Sequence, residues 1–334
     1  MLSLHTVLRS FFTAPEIGQI STEPLAGDAS LRKYFRLRSP DTTWILCIDK
    51  DYSTYPTDQY PFLVIQHLFS SCSVPVPAVI GSNKKFGAIL IEDCGDTLLQ
   101  GALQREQADR TAFYKKAIDI MVAIQSIKGE DCNMPFNRAF DEEKLMFEFT
   151  FFLDNASRHT PPYGFSENIS GILYNEFLSI TKLLLRPEHF VLNHRDYHSR
   201  NILVTGTGLV IIDFQDARMG LPQYDAASLM RDSYVTLPED FVATMQEYHY
   251  NLIQSNNMTG MSYDEYLYLF DLTAFQRNIK ALGTFFNQAH NLGKKEFEQY
   301  IAPTLSYLPG YIERQPELAR SGEIILNILA QFKR

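Results

Sequence analysis

The stretch HRDYHSRNILVTGTGLVIIDFQDAR, residues 194–218, decides the reading of the fold. Two four-residue runs, Ile202–Thr205 and Leu209–Ile212, flank Gly206-Thr207-Gly208. A three-residue connection containing glycine is a common hairpin loop. Opposing Thr205 to Leu209 carries the same register out to Asn201 opposite Asp213. Both side chains then emerge at the open end of one hairpin, next to the loop that holds Asp196. An amide oxygen and carboxylates gathered in this way suit a hard divalent cation such as Mg²⁺. That ion prefers oxygen ligands and keeps waters or phosphates in its remaining positions.

The order His-Arg-Asp, four residues, Asn, and then Asp-Phe resembles the catalytic and metal loops of protein kinase-like phosphotransferases. Any one of these residues alone reads as a polar turn residue, but their joint spacing and the hairpin symmetry point to phosphoryl transfer. That chemistry asks little covalent help of a protein. It needs an in-line acceptor, a group to take the acceptor proton, and cations on the phosphates. Asp196 would orient and deprotonate the acceptor hydroxyl, and Asn201 and Asp213 would hold Mg²⁺ on the nucleotide. His194 and His198 lie four apart, as in a zinc helix. No glutamate follows His194, however, and the preceding VLN is strand-like.

Outward from this stretch the period of the apolar residues changes once. LRKYFRLR (31–38) and WILCID (44–49) flank the turn-type SPDTT and read as a hairpin. PFLVIQHLFSS (61–71) reads as a helix with Pro61 at its first position. VPVPAVIG and FGAILIED bracket SNKK as a second strand–turn–strand unit. After Gly95 helical spacing takes over, as in Phe113, Ala117, Ile120, Ile124 and Ile127. Residues 141–156, capped by Asp141, and 171–186 are two more helices, and further helical segments run from about 238 onward. The expectation is an α+β, protein kinase-like, two-lobe fold. A small β-rich N-lobe over 1–95 binds nucleotide, and a larger mainly helical C-lobe over 96–334 carries the catalytic loop, the metal-loop hairpin and the acceptor site.

A chain of 334 residues is longer than one core usually covers, which agrees with two lobes. It is 45% hydrophobic and 21% charged, ordinary for a globular protein and too apolar for disorder. The 30 basic and 39 acidic residues leave a net charge of -9, which argues against a nucleic-acid partner. Against that background residues 31–38 hold four basic groups and no acidic one. Cys47, Cys72, Cys94 and Cys132 show no CxxC spacing, so a reducing compartment fits better than a disulfide framework. The apolar start, Met1 to Phe12, is broken by His5 and Arg9, and no run approaches a membrane span. The expectation is a cytoplasmic protein that acts on a small molecule, without a membrane, its oligomeric state left open.

ILIEDCG (89–95), HRDYHSRN and IIDFQDARMGLPQYDAASLMRD (211–232) resemble the aminoglycoside phosphotransferase/choline kinase-like superfamily more than protein kinases. Gln215 replaces the usual glycine after Asp-Phe. Within the superfamily, GDASLRKYFRL (27–37), DFQDAR, YDAASLMRDSY (224–234) and FQRNIKALGTF (275–285) look like the bacterial N-acetylmuramate/N-acetylglucosamine anomeric kinases. The resemblance implies ATP and Mg²⁺ as cofactors and the anomeric hydroxyl of an N-acetylated amino sugar as acceptor, as in cell-wall sugar recycling. It makes Asp196 the base and Asn201 and Asp213 the metal ligands. Glu92, Asp93 and Cys94 become the hinge that meets adenine, and Gly27 to Ser30 the turn over the phosphates. His194 and Asp225 would support the catalytic loop, although Asp225 also reads as a simple helix cap.

One departure stands out. WILCID carries no lysine where the superfamily's phosphate-binding strand has one, and the helix at 61–71 offers no glutamate partner. Arg32, Lys33 and Lys50 are the candidate substitutes; Arg32 and Arg36 share one strand face and Lys33 takes the other. A solvated basic sheet edge is the rival reading. Arg277, Lys280 and Thr284 share one helical face. That face is either a polar surface or, with Arg231, a site for a substrate carboxylate such as the lactyl group of N-acetylmuramate. An aminoglycoside or amino-alcohol kinase, which would need an acidic acceptor pocket, and a nucleotide-binding pseudokinase are the alternatives.

Overall fold

A computed structural model describes residues 4–25, 32–105, 107–158 and 165–332; the predicted phosphate-covering turn with Gly27 and Ser30 lies outside them. The chain divides into two compact units. One comprises Met1–Leu98 and Ile202–Asp216, the other Leu99–Asn201 and Ala217–Arg334.

The first unit is built on an antiparallel sheet of five strands in the order β1-β2-β3-β5-β4. These are β1 (Ser21–Leu25), β2 (Lys33–Arg38), β3 (Thr43–Ile48), β4 (Val79–Asn83) and β5 (Ala88–Glu92). Period-2 alternation sorts their side chains. Leu37, Leu46, Ala88 and Leu90 are buried on one face with Val7 and Leu8 of the first helical turn, Leu4–Leu8. Truncating such a residue to alanine typically costs about 2–5 kcal/mol. Tyr34, Arg36, Ile45, Cys47, Ile89 and Ile91 fall on the opposite face by the same register. Gly87 turns the chain into β5 at φ +59°, and a Cβ there would meet the Asp49 carbonyl oxygen at 2.2 Å, so only glycine fits.

The helix Pro61–Ser71 begins at the expected proline. Its Phe62 and Phe69 hold the buried ring of Phe214, with centroids 5.1 and 5.9 Å away. Phe214 follows the hairpin of β6 (Ile202–Thr205) and β7 (Gly208–Ile211). Two observations correct the sequence reading here. The hairpin groups with the first unit, not the second, because its backbone bonds there: Val204 N–H to the Thr97 carbonyl at 2.7 Å and Ile211 N–H to that of Pro75 at 2.8 Å. Its register also differs by one residue. Thr205 pairs with Gly208 across the two-residue turn Gly206-Thr207, so strand pairing does not set Asn201 opposite Asp213.

The second unit is mainly helical. Asp109, Asp141, Ser166 and Ser262 each accept an N–H from the first turn of the helix that follows, at 2.7–3.3 Å. Those helices are Arg110–Gln125, Glu142–Arg158, Glu167–Leu184 and Tyr263–Phe286. Phe149 and Phe177 stack 4.1 Å apart between the second and third. The last crosses Glu142–Arg158 so closely that a Cβ on Gly283 would lie 2.7 Å from the Phe152 Cα. No helix among the described residues is long and apolar enough to cross a membrane.

Candidate active site

In the second unit the site starts from a short strand, Val191–Asn193, paired antiparallel with Arg218–Gly220. The chain leaves it into the loop His194–Asn201. The buried Asp225 carboxylate accepts the backbone N–H of His194 at 2.6 Å and of Arg195 at 2.9 Å. It lies in the first turn of the helix Gln223–Met230, whose N-cap is Pro222, so it braces the loop and does not cap the helix. The brace matters because Arg195 has φ +85°, a left-handed conformation that costs a non-glycine residue roughly 1–3 kcal/mol unless its surroundings hold it. Within the loop the Asn201 amide donates to the Asp196 carbonyl at 2.9 Å, and Asp196 N–H donates to His194 Nδ1 at 3.3 Å.

The Asp196 side chain, about a quarter exposed, meets cations from distant segments. Lys280 Nζ donates to its Oδ1 at 2.9 Å, and Arg195 Nη1 lies 3.8 Å from its Oδ2. Burial would raise this carboxyl, but Lys280, Arg195 and Arg277 hold it well below the usual carboxylate range. Behind them sits Glu148, only 3% exposed, which the sequence reading missed. Its Oε1 lies 3.2 Å from Arg195 Nη2 and 3.8 Å from Lys280 Nζ; its Oε2 accepts from Gln276 at 3.0 Å and from the Tyr224 hydroxyl at 3.3 Å. Burial pushes the Glu148 carboxyl up, yet Lys280 and Arg195 bring it down to about 2. Glu148 is four residues before Phe152, and Lys280 three before Gly283. The tight helix crossing at that glycine therefore brings the two charges together.

Arg277 stacks on the Tyr224 ring with its guanidinium carbon 4.4 Å from the centroid, and it donates to the Arg195 carbonyl at 2.7 Å. Arg231 is nearly buried and bonds both Glu239 oxygens, the longer contact at 2.7 Å. All three predicted basic residues, Arg231, Arg277 and Lys280, line one cleft with Asp196, Asp232 and Thr284. Asp232 accepts N–H groups from Ser199 and Tyr234, and burial raises its carboxyl to about 6. His198 also lines this cleft, and burial lowers it to about 3, so the ring is neutral.

The first unit carries the remaining candidates. Asp213 is exposed, sits at φ +65°, and accepts from the Gln215 amide at 2.9 Å. Arg36, expected only as a neighbour of Arg32, is buried and binds both Asp93 and Asp96, with Nε to Asp93 Oδ2 at 2.7 Å and Nη2 to Asp96 Oδ1 at 2.6 Å. The Asp93 carboxylate is thus committed to Arg36. Glu92 turns its Oε2 to the Ala78 N–H at 3.1 Å. Burial raises the Cys94 thiol to about 11, with help from the Glu92 and Asp93 charges. Arg32 pairs through Nε with Asp49 at 2.8 Å, while Lys33 and Lys50 are exposed.

As for metal, the described residues contain no cluster of three His, Cys, Asp or Glu side chains able to hold an ion. Mg²⁺ asks for less, one or two oxygen donors from the protein with phosphate and water completing the shell. Asp213 in the first unit has a carboxylate, and Asn201 in the second has an amide whose NH₂ donates to the Asp196 carbonyl, which leaves its oxygen as an acceptor.

Residues 21–256 match the phosphotransferase enzyme family, also written APH. The chain belongs to that family. This phosphotransferase is 28% identical over 335 residues to the N-acetylmuramate/N-acetylglucosamine kinase of Pseudomonas aeruginosa, covering 97% of this chain and 94% of the relative. Among solved structures it is similar to choline kinase from Cryptosporidium parvum, with TM-score 0.64 and 13% identity over 95% of this chain and 96% of that one. It is also similar to the streptomycin–ATP ternary complex of APH(2″)-IIa, with TM-score 0.57 and 14% identity over 84% and 90%. These likenesses bear out the kinase-like α+β fold. The phosphotransferase is a small-molecule kinase. Glu148 and Asp232 of the second unit and Asp49 of the first escaped sequence reasoning, as did the carboxylate partners of Arg36. Glu148 alone left a trace, a charge in the apolar stripe of Leu145, Phe149 and Phe152.

Proposed function

We propose that this phosphotransferase uses ATP and Mg²⁺ to phosphorylate the anomeric hydroxyl of N-acetylmuramate or N-acetylglucosamine. The observation that carries the reading is the cleft in which Asp196 stands among Arg231, Arg277 and Lys280. Arg231 and Lys280 are already paired with Glu239 and Asp196, but Arg277 bonds a backbone carbonyl and has no carboxylate partner among the described residues, so it is the cation that favours an anionic lactyl arm over a cationic acceptor. An amino-alcohol kinase would call for the opposite lining.

In this reading Asp196 is the group that receives the acceptor proton. Its depressed pKa makes it a weak base, which suits a loose transition state. The hydroxyl is oriented first and gives up its proton late, as the new O–P bond forms and the bond to the leaving phosphate breaks. Lys280 fixes one Asp196 oxygen and leaves the other to meet the hydroxyl. Asp225 keeps the loop in its strained conformation throughout. Asn201 and Asp213 are the donors proposed for Mg²⁺, which when bound neutralises phosphate charge. Glu92 to Cys94 are proposed to meet adenine through their backbone. The intact set of Asp196, Asn201 and Asp213 favours turnover over a regulatory role.

The test is ADP release with ATP-Mg²⁺ over N-acetylmuramate, N-acetylglucosamine, other hexoses, choline-like alcohols and aminoglycosides. Turnover is expected on the N-acetylated sugars and lost on their methyl glycosides. Asp196→Asn should lower kcat by roughly 10²- to 10⁴-fold, with ATP affinity kept. Turnover on a methyl glycoside would remove the anomeric assignment, and full activity in Asp196→Asn would remove the base.

A further inference from the structure

The strand lysine and helix glutamate expected of this fold are missing, and three cations were candidates to meet the nucleotide phosphates. The structure separates them. Lys33 belongs to the β2 face of Phe35 and Leu37, which carries the buried core with Val7 and Leu8. Lys50 is exposed beyond the end of β3. Arg32 lies on the other face. Continuing the β2–β3 register one step past Lys33 and Ile48 sets it opposite Asp49, and the two form a cross-strand ion pair at 2.8 Å, largely buried on both sides.

Two further contacts shape that pair. Asp49 also accepts the Tyr60 hydroxyl at 2.5 Å and the Asp51 N–H at 2.9 Å, so three donors share its charge. Arg32 bonds Tyr34 as well. Arg36, on the same face, is already matched by two carboxylates, Asp93 and Asp96, and that group is net negative. Arg32 pairs with Asp49, a carboxylate whose charge is dispersed over the Tyr60 hydroxyl and the Asp51 N–H as well.

We propose that Arg32 is the residue that binds the nucleotide's phosphates, and that Asp49, locked by Tyr60, is the positioning residue that holds it. The Arg32–Asp49 pair then does in this chain what a strand lysine and helix glutamate do elsewhere in the superfamily. The planar fork suits bridging phosphate oxygens, which a lysine in the same place meets as a point charge. This assignment rests on the ATP-Mg²⁺ part of the reading above and is independent of which acceptor is used.

The experiment is calorimetric binding of ATP, ADP and adenosine to the full chain with saturating Mg²⁺ and no acceptor. Arg32→Gln should weaken ATP and ADP roughly 10- to 100-fold, the loss of a charge-assisted contact, and leave adenosine unchanged. Arg32→Lys should recover part of that loss, because charge returns without the fork. Equal weakening of all three ligands would make Arg32 a structural residue and overturn the proposal. So would unchanged ATP binding in Arg32→Gln, or the larger loss appearing in Lys33→Ala or Lys50→Ala. Failure on every sugar acceptor, with the ATP result intact, would remove only the acceptor assignment.

Discussion

In the second unit, four charges drawn from three distant parts of the chain meet without passing through a sheet. Glu148 comes from one helix, Arg195 and Asp196 from the loop, and Lys280 from another helix 84 residues beyond Asp196. In the first unit, the Arg32–Asp49 pair follows from strand register, and Arg36 reaches across β3 to the segment just past the end of β5. The former is a network in which two carboxylates share the cations and each partner compensates more than one other. The latter are local pairs whose geometry comes with the sheet. Removing a member therefore has different reach. In the network it leaves charges stranded in a buried place, whereas in the sheet it loosens one neighbour.

The largest effect should come from Glu148→Ala. Losing one partner of a buried charge group typically costs about 3–5 kcal/mol, a fall in Tm of about 10 °C for a domain of this size. A fall under 2 °C in thermal unfolding would show that the network is not a unit. The pH dependence sharpens the point. The folded Glu148 carboxyl lies at about 2, below its ordinary 4.5. Its contribution is present above the ordinary value and is lost as pH falls toward 2. In urea unfolding across pH, the stability gap between the native chain and Glu148→Gln should stay constant above about pH 5 and close below it. A gap that widens with acid would reverse the sign of the assignment.

Arg36→Met should cost somewhat less, about 2–3 kcal/mol, because only Asp93 is left buried while Asp96 is 75% exposed. On the proposed adenine contact of residues 92–94 it should also raise the KM for ATP; an unchanged KM would confine Arg36 to stability. Gly283→Ala should be the mildest, about 1–3 kcal/mol for overpacking against Phe152. Its kcat should fall as Lys280 shifts away from Asp196. Equal kcat in a correctly folded variant would show that the helix crossing does not set the site.

Much of this was legible in the sequence, for physical reasons that can be named. Helices with a side-chain cap and a sustained 3.6-residue period, such as Glu142–Arg158 behind Asp141, announce themselves locally. β1 was missed because STEPL has no alternation and carries a proline, which an edge strand tolerates. The hairpin register was missed because Gly208, at φ +143°, serves as a strand residue and not as part of the loop. Arg277 and Lys280 were expected on one face, but that the face turns toward Asp196 depends on a helix crossing no local pattern encodes. Lys280 lines the acceptor cleft and bonds the Asp196 carboxylate, a contact no helical spacing announces.

The hairpin of residues 202–216 has one more consequence, for the order in which the chain can be assembled. Its carbonyl partners, Thr97 and Pro75, and the phenylalanines that hold Phe214 all lie before residue 99. About a hundred residues of the other unit intervene before it is made. A fragment cut at Leu98 would expose those aromatic rings and leave two carbonyls without their partners. During synthesis the first unit must wait, unfinished, while the ribosome passes through much of the second. The two units are consequently poor candidates for separate expression, and a split or permuted version should keep 202–216 with the sheet it completes.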